Sequence, residues 1–255
     1  MIKNYYNVMK ALVSECKNWP SIIIAKIFNF KLENLVLRNK YKIFLGDKIG
    51  KADLSMFSEI WYENFYNPRG FEINENDIVF DIGANNGFFS IYAASKALRG
   101  KVYAFEPVPS LAKKIKMSSD LNNFDNIIIE KLAIGNNNSE CLFYVSKDHN
   151  GCHSLYKRNL SDNKIIVNVI SLKSYCESHN ISKIDFMKLD CEGAEYEIIN
   201  EKSIEFIKKT VGTISMEYHD NINMHSHEEI LKTLGEAGFS TESINGYIYA
   251  KNGNR

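Results

Sequence analysis

The stretch Ile78-Val-Phe-Asp-Ile-Gly-Ala-Asn-Asn-Gly87 decides the fold. Four apolar residues in the five from Ile78 to Ile82 are the pattern of a strand covered on both faces, as in a parallel α/β sheet. Asp81 sits at the end of this strand. Gly83 permits a tight turn, and Gly87 lets the next helix begin close against the strand's end. Strand, glycine turn and free helix N-terminus together form a cradle for a nucleotide cofactor. The Gly-x-Gly-x-x-Gly spacing of a dinucleotide site is missing, because Ala84, Asn85 and Asn86 fill the middle of the turn. Asn85 and Asn86 beside a helix N-terminus instead suit a zwitterionic amino-acid tail, such as the methionine part of S-adenosylmethionine.

About 20 residues further on, where acidic ribose-binding residues fall in such units, Lys101-Val-Tyr-Ala-Phe105 forms a second short strand ended by Glu106-Pro107. A carboxylate at Glu106 can accept both ribose hydroxyls. From Phe71 onward strand-like and helical patterns alternate, which predicts a mostly parallel sheet with helices on both faces. Ser110 is expected to cap a helix running to Asn122, and Ile127–Lys131 to be the third strand. Glu140–Val145 and Ile165–Ile170 read as a hairpin enclosing a polar loop that contains Asp148 to Ser154. Phe186–Leu189 and Thr213–Glu217 are the next strands. The chain then closes with a helix from His227 to Ala237 and two strands joined by Asn245-Gly246, a strong hairpin signal. A sheet ending in an antiparallel pair favours a seven-stranded methyltransferase core over a dinucleotide fold.

The 255 residues suffice for one well-buried α/β domain plus an appendage. The formal net charge is zero, so composition shows no nucleic-acid binder. Five cysteines without a Cys-x-x-Cys pair indicate neither a disulfide framework nor a zinc ribbon, and a cytoplasmic protein is expected. From Met1 to Leu45, eight basic residues stand against two acidic ones. This stretch is expected to be helical, as a basic face packed on its own domain or as a peripheral contact with a membrane or glycolipid. The turn cluster Tyr66-Asn67-Pro68-Arg69-Gly70 is read as the boundary between an extension, 1–70, and the main domain, 71–255.

The densest acidic cluster is Asp185-Phe-Met-Lys-Leu-Asp190-Cys-Glu192-Gly193-Ala-Glu195. In open α/β sheets ligands sit outside the carboxyl ends of the strands, so Asp190 and Glu192 should share a crevice with Asp81 and Glu106. Glu195, in the first turn of the following helix, is expected to complement the helix dipole. His219, His225 and His227 are too irregularly spaced for a metal site, and no metal is expected.

Four segments together resemble the FkbM-type methyltransferase family: Phe57-Ser-Glu-Ile-Trp-Tyr62, Val79 to Ser90, Ala104-Phe-Glu-Pro107 and Ile184 to Glu195. The resemblance extends to Met216-Glu-Tyr-His219. It implies a Rossmann-like class I fold, S-adenosylmethionine as methyl donor, and transfer to a hydroxyl of a sugar, glycan or other secondary metabolite. By position it implies that Asp81, Gly83 and Gly87 surround the methionine moiety, Glu106 the ribose and Ala133-Ile134-Gly135 the adenine. Asp190, Glu192, Glu217 and His219 would lie on the acceptor side. Asp190 is the first candidate base, since proton removal assists a hydroxyl acceptor, and His219 the second. The rival readings are an RNA methyltransferase, a nicotinamide-dependent oxidoreductase and a non-catalytic cofactor-binding module.

Overall fold

The computed structural model describes residues 2–145, 163–220 and 225–253. The polar loop from Asp148 to Ser154 lies outside the described residues. In chain order the elements are α1 (Ile2–Glu15), α2 (Trp19–Phe28), β1 (Lys31–Val36), β2 (Lys42–Lys48), α3 (Lys51–Phe57) and a π-helical turn, Ser58–Tyr62. Next come β3 (Ile78–Ile82), α4 (Phe88–Lys96), β4 (Lys101–Phe105), α5 (Pro109–Asn122), β5 (Ile127–Glu130), β6 (Ala133–Gly135), β7 (Ser139–Val145) and β8 (Asn163–Ser171). The chain continues through α6 (Leu172–Ser178), β9 (Ile184–Leu189), α7 (Glu195–Ile198), α8 (Ile204–Thr210), β10 (Val211–Glu217), α9 (His227–Glu236), β11 (Phe239–Ile244) and β12 (Tyr247–Asn252).

The main sheet has seven strands in the order β11-β12-β10-β9-β3-β4-β5. The five strands from β10 to β5 run parallel, and β12 pairs antiparallel with both β10 and β11. The Asn245-Gly246 hairpin therefore closes the sheet, as the sequence predicts. The order reverses between β3 and β4 on one side and β9 on the other, so the ends of β3 and β9 flank a switch-point crevice. β7 and β8 pair antiparallel as expected, but with β6 they form a separate three-stranded sheet.

Two local expectations are corrected. The helix expected to be capped by Ser110 begins two residues earlier: Val108 is extended at the cap position and Pro109 opens the helix, where a missing N–H costs nothing. The stretch to Leu45 is not helical throughout either, because β1 and β2 form an antiparallel hairpin. Its exposed–buried alternation Lys42, Ile43, Phe44, Leu45 has the period of a strand. The hairpin is held to α5: Asn122 accepts the Lys42 N–H at 2.8 Å and donates to the Lys42 carbonyl at 2.6 Å, while the Phe44 N–H donates to Ser118 Oγ at 2.9 Å. One apolar cluster joins Leu12, Ile22, Leu35 and Ile43 to Phe57, Phe88 and Phe89, so the N-terminal segment packs on the same side of the sheet as α4.

Candidate active site

The turn after β3 is shaped by three left-handed residues, Gly83 (φ 78°), Asn85 (φ 50°) and Gly87 (φ 81°). At Gly83 a Cβ would come within 1.9 Å of the Asp190 carbonyl oxygen, and at Gly87 within 2.9 Å of Ile115. The two glycines thus let the turn lie against the end of β9 and let α4 start against α5. Asn85 donates its backbone N–H to Glu106 Oε2 at 2.8 Å, and the Val108 N–H binds Glu106 Oε1 at 2.8 Å. Glu106 is therefore a brace between two loops, and burial pushes its carboxyl up to about 8 against those two N–H donors.

A cavity of about 260 Å³ opens over these strand ends. It is lined on one side by Gly83, Asn85, Glu106, Ala133 and Ile134, and on the other by Asp190, Glu192, Glu217 and His219. All nine were singled out from sequence and share one crevice. Asp81, Asn86, Gly87 and Gly135 do not line it. Asp81 is fully buried, accepting from Ser90 Oγ at 2.6 Å and facing Lys188 Nζ at 3.2 Å. Asn86 is buried and donates to Asp53 Oδ1 at 2.7 Å, which ties the turn to α3. Gly87 lies under the turn against α5.

Lys188 and Tyr66 organise the acidic side, and neither was singled out from sequence. The parallel register sets Lys188 of β9 directly beside Asp81 of β3. Its ammonium donates to the Gly83 carbonyl at 2.8 Å and stands 3.7 Å from Asp190 Oδ2. Burial opposes that charge, yet the Asp81 and Asp190 carboxylates outweigh it and hold the Lys188 pKa above its usual value. A lysine inside the apolar run Phe186–Leu189 is the available signal, since a buried ammonium requires a carboxylate partner. Tyr66, from the turn cluster read as a boundary, is buried with its hydroxyl 3.0 Å from Asp190 Oδ2 and 2.9 Å from Glu217 Oε2. One phenolic proton serves one carboxylate. Burial and the nearby Asp190 charge push Glu217 up to about 7, so Glu217 can bring its own proton to Tyr66 while Tyr66 donates to Asp190. Glu59, from the π-helical turn, also lines the cavity and is raised by burial.

His219 contacts Glu195 Oε1 at 3.2 Å and Glu192 Oε2 at 3.5 Å. Burial disfavours its charge, but the Glu195, Asp190 and Glu192 carboxylates raise it to about 9. Glu195 is fully buried and accepts the N–H groups of Cys191 at 2.6 Å and Gly193 at 2.8 Å, closing the turn that presents Asp190. Ligand atoms of Asp190, Glu195 and His219 lie within 4.8 Å of one another. Both Glu195 oxygens accept backbone N–H groups of the Cys191–Gly193 turn, and Oε1 also faces His219 Nδ1. His225 and His227 pair elsewhere, with Glu229 and Asp220.

Comparison with known proteins places the chain. The methyltransferase FkbM domain matches residues 81–241. The hexuronic acid methyltransferase AglP of Haloferax volcanii is 26% identical over 172 residues, which span 67% of this chain and 66% of that protein. The 31-O-demethyl-FK506 methyltransferase FkbM of Streptomyces tacrolimicus is 39% identical over 54 residues, 21% of each chain. Thus the matched region spans less than two thirds of the length of either relative. Among solved structures, a methyltransferase FkbM from Methylobacillus flagellatus aligns over 79% of this chain and 55% of its own, at 11% identity and a TM-score of 0.46. With a domain match covering more than half its length, the chain belongs to the FkbM family of S-adenosylmethionine-dependent methyltransferases.

Proposed function

We propose that the protein transfers a methyl group from S-adenosylmethionine to a hydroxyl of a sugar, glycan or secondary metabolite. The observation that carries this reading is Asp190, a quarter exposed, held by Lys188 and Tyr66 beside the Gly83–Asn85 turn. The left-handed turn and the Glu106 carboxylate at the end of β4 fit a nucleoside with an amino-acid tail: small backbone on one side, a hydroxyl acceptor on the other. Bound there, S-adenosylmethionine supplies an electrophilic methyl group on a sulfonium.

The protein's own task is to orient the acceptor oxygen for in-line attack and to take its proton. Orientation supplies about 7 to 11 kcal/mol. Asp190 would take the proton of the acceptor hydroxyl as that oxygen receives the methyl group. His219, pushed up to about 9, is an imidazolium at neutral pH, and serves as counter-charge to Glu192 and Glu195 rather than as the base. The relative AglP, named for a hexuronic acid, supports a sugar acceptor. The acceptor side of this cavity carries Glu59, Asp190, Glu192, Glu217 and His219, polar groups able to hydrogen-bond the hydroxyls of a sugar ring.

The test has two parts. Labelled S-adenosylmethionine with neutral and uronic sugars, followed by mass spectrometry, reports the acceptor; methyl gain on nitrogen or on a nucleic acid would overturn the reading. Glu106→Ala should weaken S-adenosylmethionine binding by about 1.5 to 3 kcal/mol per lost hydroxyl contact. Wild-type affinity should improve as pH rises toward about 8, where Glu106 ionises. Unchanged affinity in calorimetry would leave Glu106 as a loop brace alone.

A further inference from the structure

The N-terminal lobe buries one face and leaves another apolar. Ile24, Ile27 and Phe28 recur at helical spacing on the outer face of α2, and Ile27, Phe28 and Phe30 are 68%, 63% and 60% exposed. The Phe28 and Phe30 rings stack at 6.0 Å. Tyr5 of α1 is exposed too, and between α1, α2 and α3 runs a groove of about 390 Å³ lined by Tyr5, Met9, Ile23, Lys26, Ile27 and Leu54.

Cations ring this apolar tip. Lys31 follows Phe30 directly and lies opposite Lys48 in the hairpin register, and Lys26 and Lys51 line the groove. At this end of the hairpin Lys26, Lys31, Lys48 and Lys51 stand against Glu33 and Asp47, and the Asp47 carboxylate accepts the Lys48 N–H; Arg38, Lys40 and Lys42 lie at its other end. Aromatic and aliphatic groups level with lysines are the arrangement of an interfacial element. Among the described residues no helix is long and apolar enough to cross a membrane. A self-pair through this face would set like charges against each other, because a two-fold contact repeats the same patch.

We propose that this lobe seats the protein on an anionic bilayer, with Ile24, Ile27, Phe28 and Phe30 at headgroup depth and Lys31, Lys48 and Lys51 against the anionic headgroups. Ser55 lines both the groove and the candidate active-site cavity, so the seated face adjoins the cleft, and an acceptor carried on a lipid would meet it from the bilayer side. Binding is read without turnover, so it stands or falls separately from the methyl-transfer reading.

The experiment is co-sedimentation of the full chain with phosphatidylcholine vesicles, with and without phosphatidylglycerol, at low and high salt. The protein should sediment with the anionic vesicles and be released by salt. Lys31→Gln with Lys48→Gln should weaken binding by roughly fivefold for each lysine. Phe28→Ser with Phe30→Ser should weaken it by about tenfold or more. All four side chains are exposed, and unchanged circular dichroism melts will show that both variants fold. Equal sedimentation with neutral and anionic vesicles, or variants that bind like the wild type, would overturn the proposal. So would a protein that ignores vesicles but forms a dimer, in analytical ultracentrifugation, that Phe28→Ser with Phe30→Ser dissociates.

Discussion

At the scale of single residues, the site is a balance of buried charges. Lys188 stands between Asp81 and Asp190, and Tyr66 between Asp190 and Glu217. Asp190→Asn keeps the size and the Tyr66 contact but removes the charge. If Asp190 takes the acceptor proton, turnover should fall by about 10² or more, with S-adenosylmethionine affinity in calorimetry nearly unchanged. Retained turnover with lowered stability would make Asp190 a turn residue only. His219 offers a second test. Its pKa is raised from 6.5 to about 9 in the fold by carboxylates that outweigh burial, so its contribution to stability is fully present below pH 6.5 and is lost as pH rises through about 9. Relative to His219→Asn, the wild type should therefore lose up to about 3 kcal/mol of unfolding free energy across that window. Urea unfolding at several pH values measures it, and a pH-independent difference would mean that His219 is neutral in the fold.

At the scale of elements, the active site depends on how closely the β3 turn approaches β9. Gly83→Ala would set a methyl group on the Asp190 carbonyl at 1.9 Å and strain a residue at φ 78°, for a cost of at least about 3 kcal/mol. Thermal melts should fall accordingly, whereas Gly70→Ala, with nothing within 4 Å, should pay only the strain of its own φ of 94°. The β3 turn, the alternating strands and the closing Asn245-Gly246 hairpin were legible because each is a local pattern: an apolar run, a glycine, a turn dipeptide. Asp190, Glu192, Glu217 and His219 were legible because strand ends collect ligands. Asp53, Tyr66 and Lys188 were not, since their roles arise from contacts made across 33, 124 and 105 residues of chain. The same reason made Asn86 look like a cofactor contact: its polar amide is used inward, on Asp53. The β1–β2 hairpin was missed because basic residues and aromatics masked a two-residue alternation that only its seat on α5 makes visible.

At the scale of the whole molecule, the question is whether the segment before residue 70 is an appendage or part of the fold. Its apolar residues share one cluster with Phe88, Phe89 and Ile91 of α4, and Asp53 of α3 holds Asn86 in the turn after β3. Removing it would strip cover from a central helix and release the turn, so a shortened chain is a poor probe of membrane binding and point variants are preferable. Both tryptophans, Trp19 and Trp61, lie in this segment, whereas all seven strands of the main sheet lie beyond it. Tryptophan fluorescence therefore reports the N-terminal lobe, whereas far-ultraviolet circular dichroism reports the secondary structure of the whole chain. If the shared cluster couples the lobe to the sheet, the two probes should give one coincident urea transition, because a single cooperative unit unfolds all at once. Fluorescence that changes at lower urea than circular dichroism would instead show that the lobe opens first, and would make residues 1–70 a separate unit resting on the methyltransferase core.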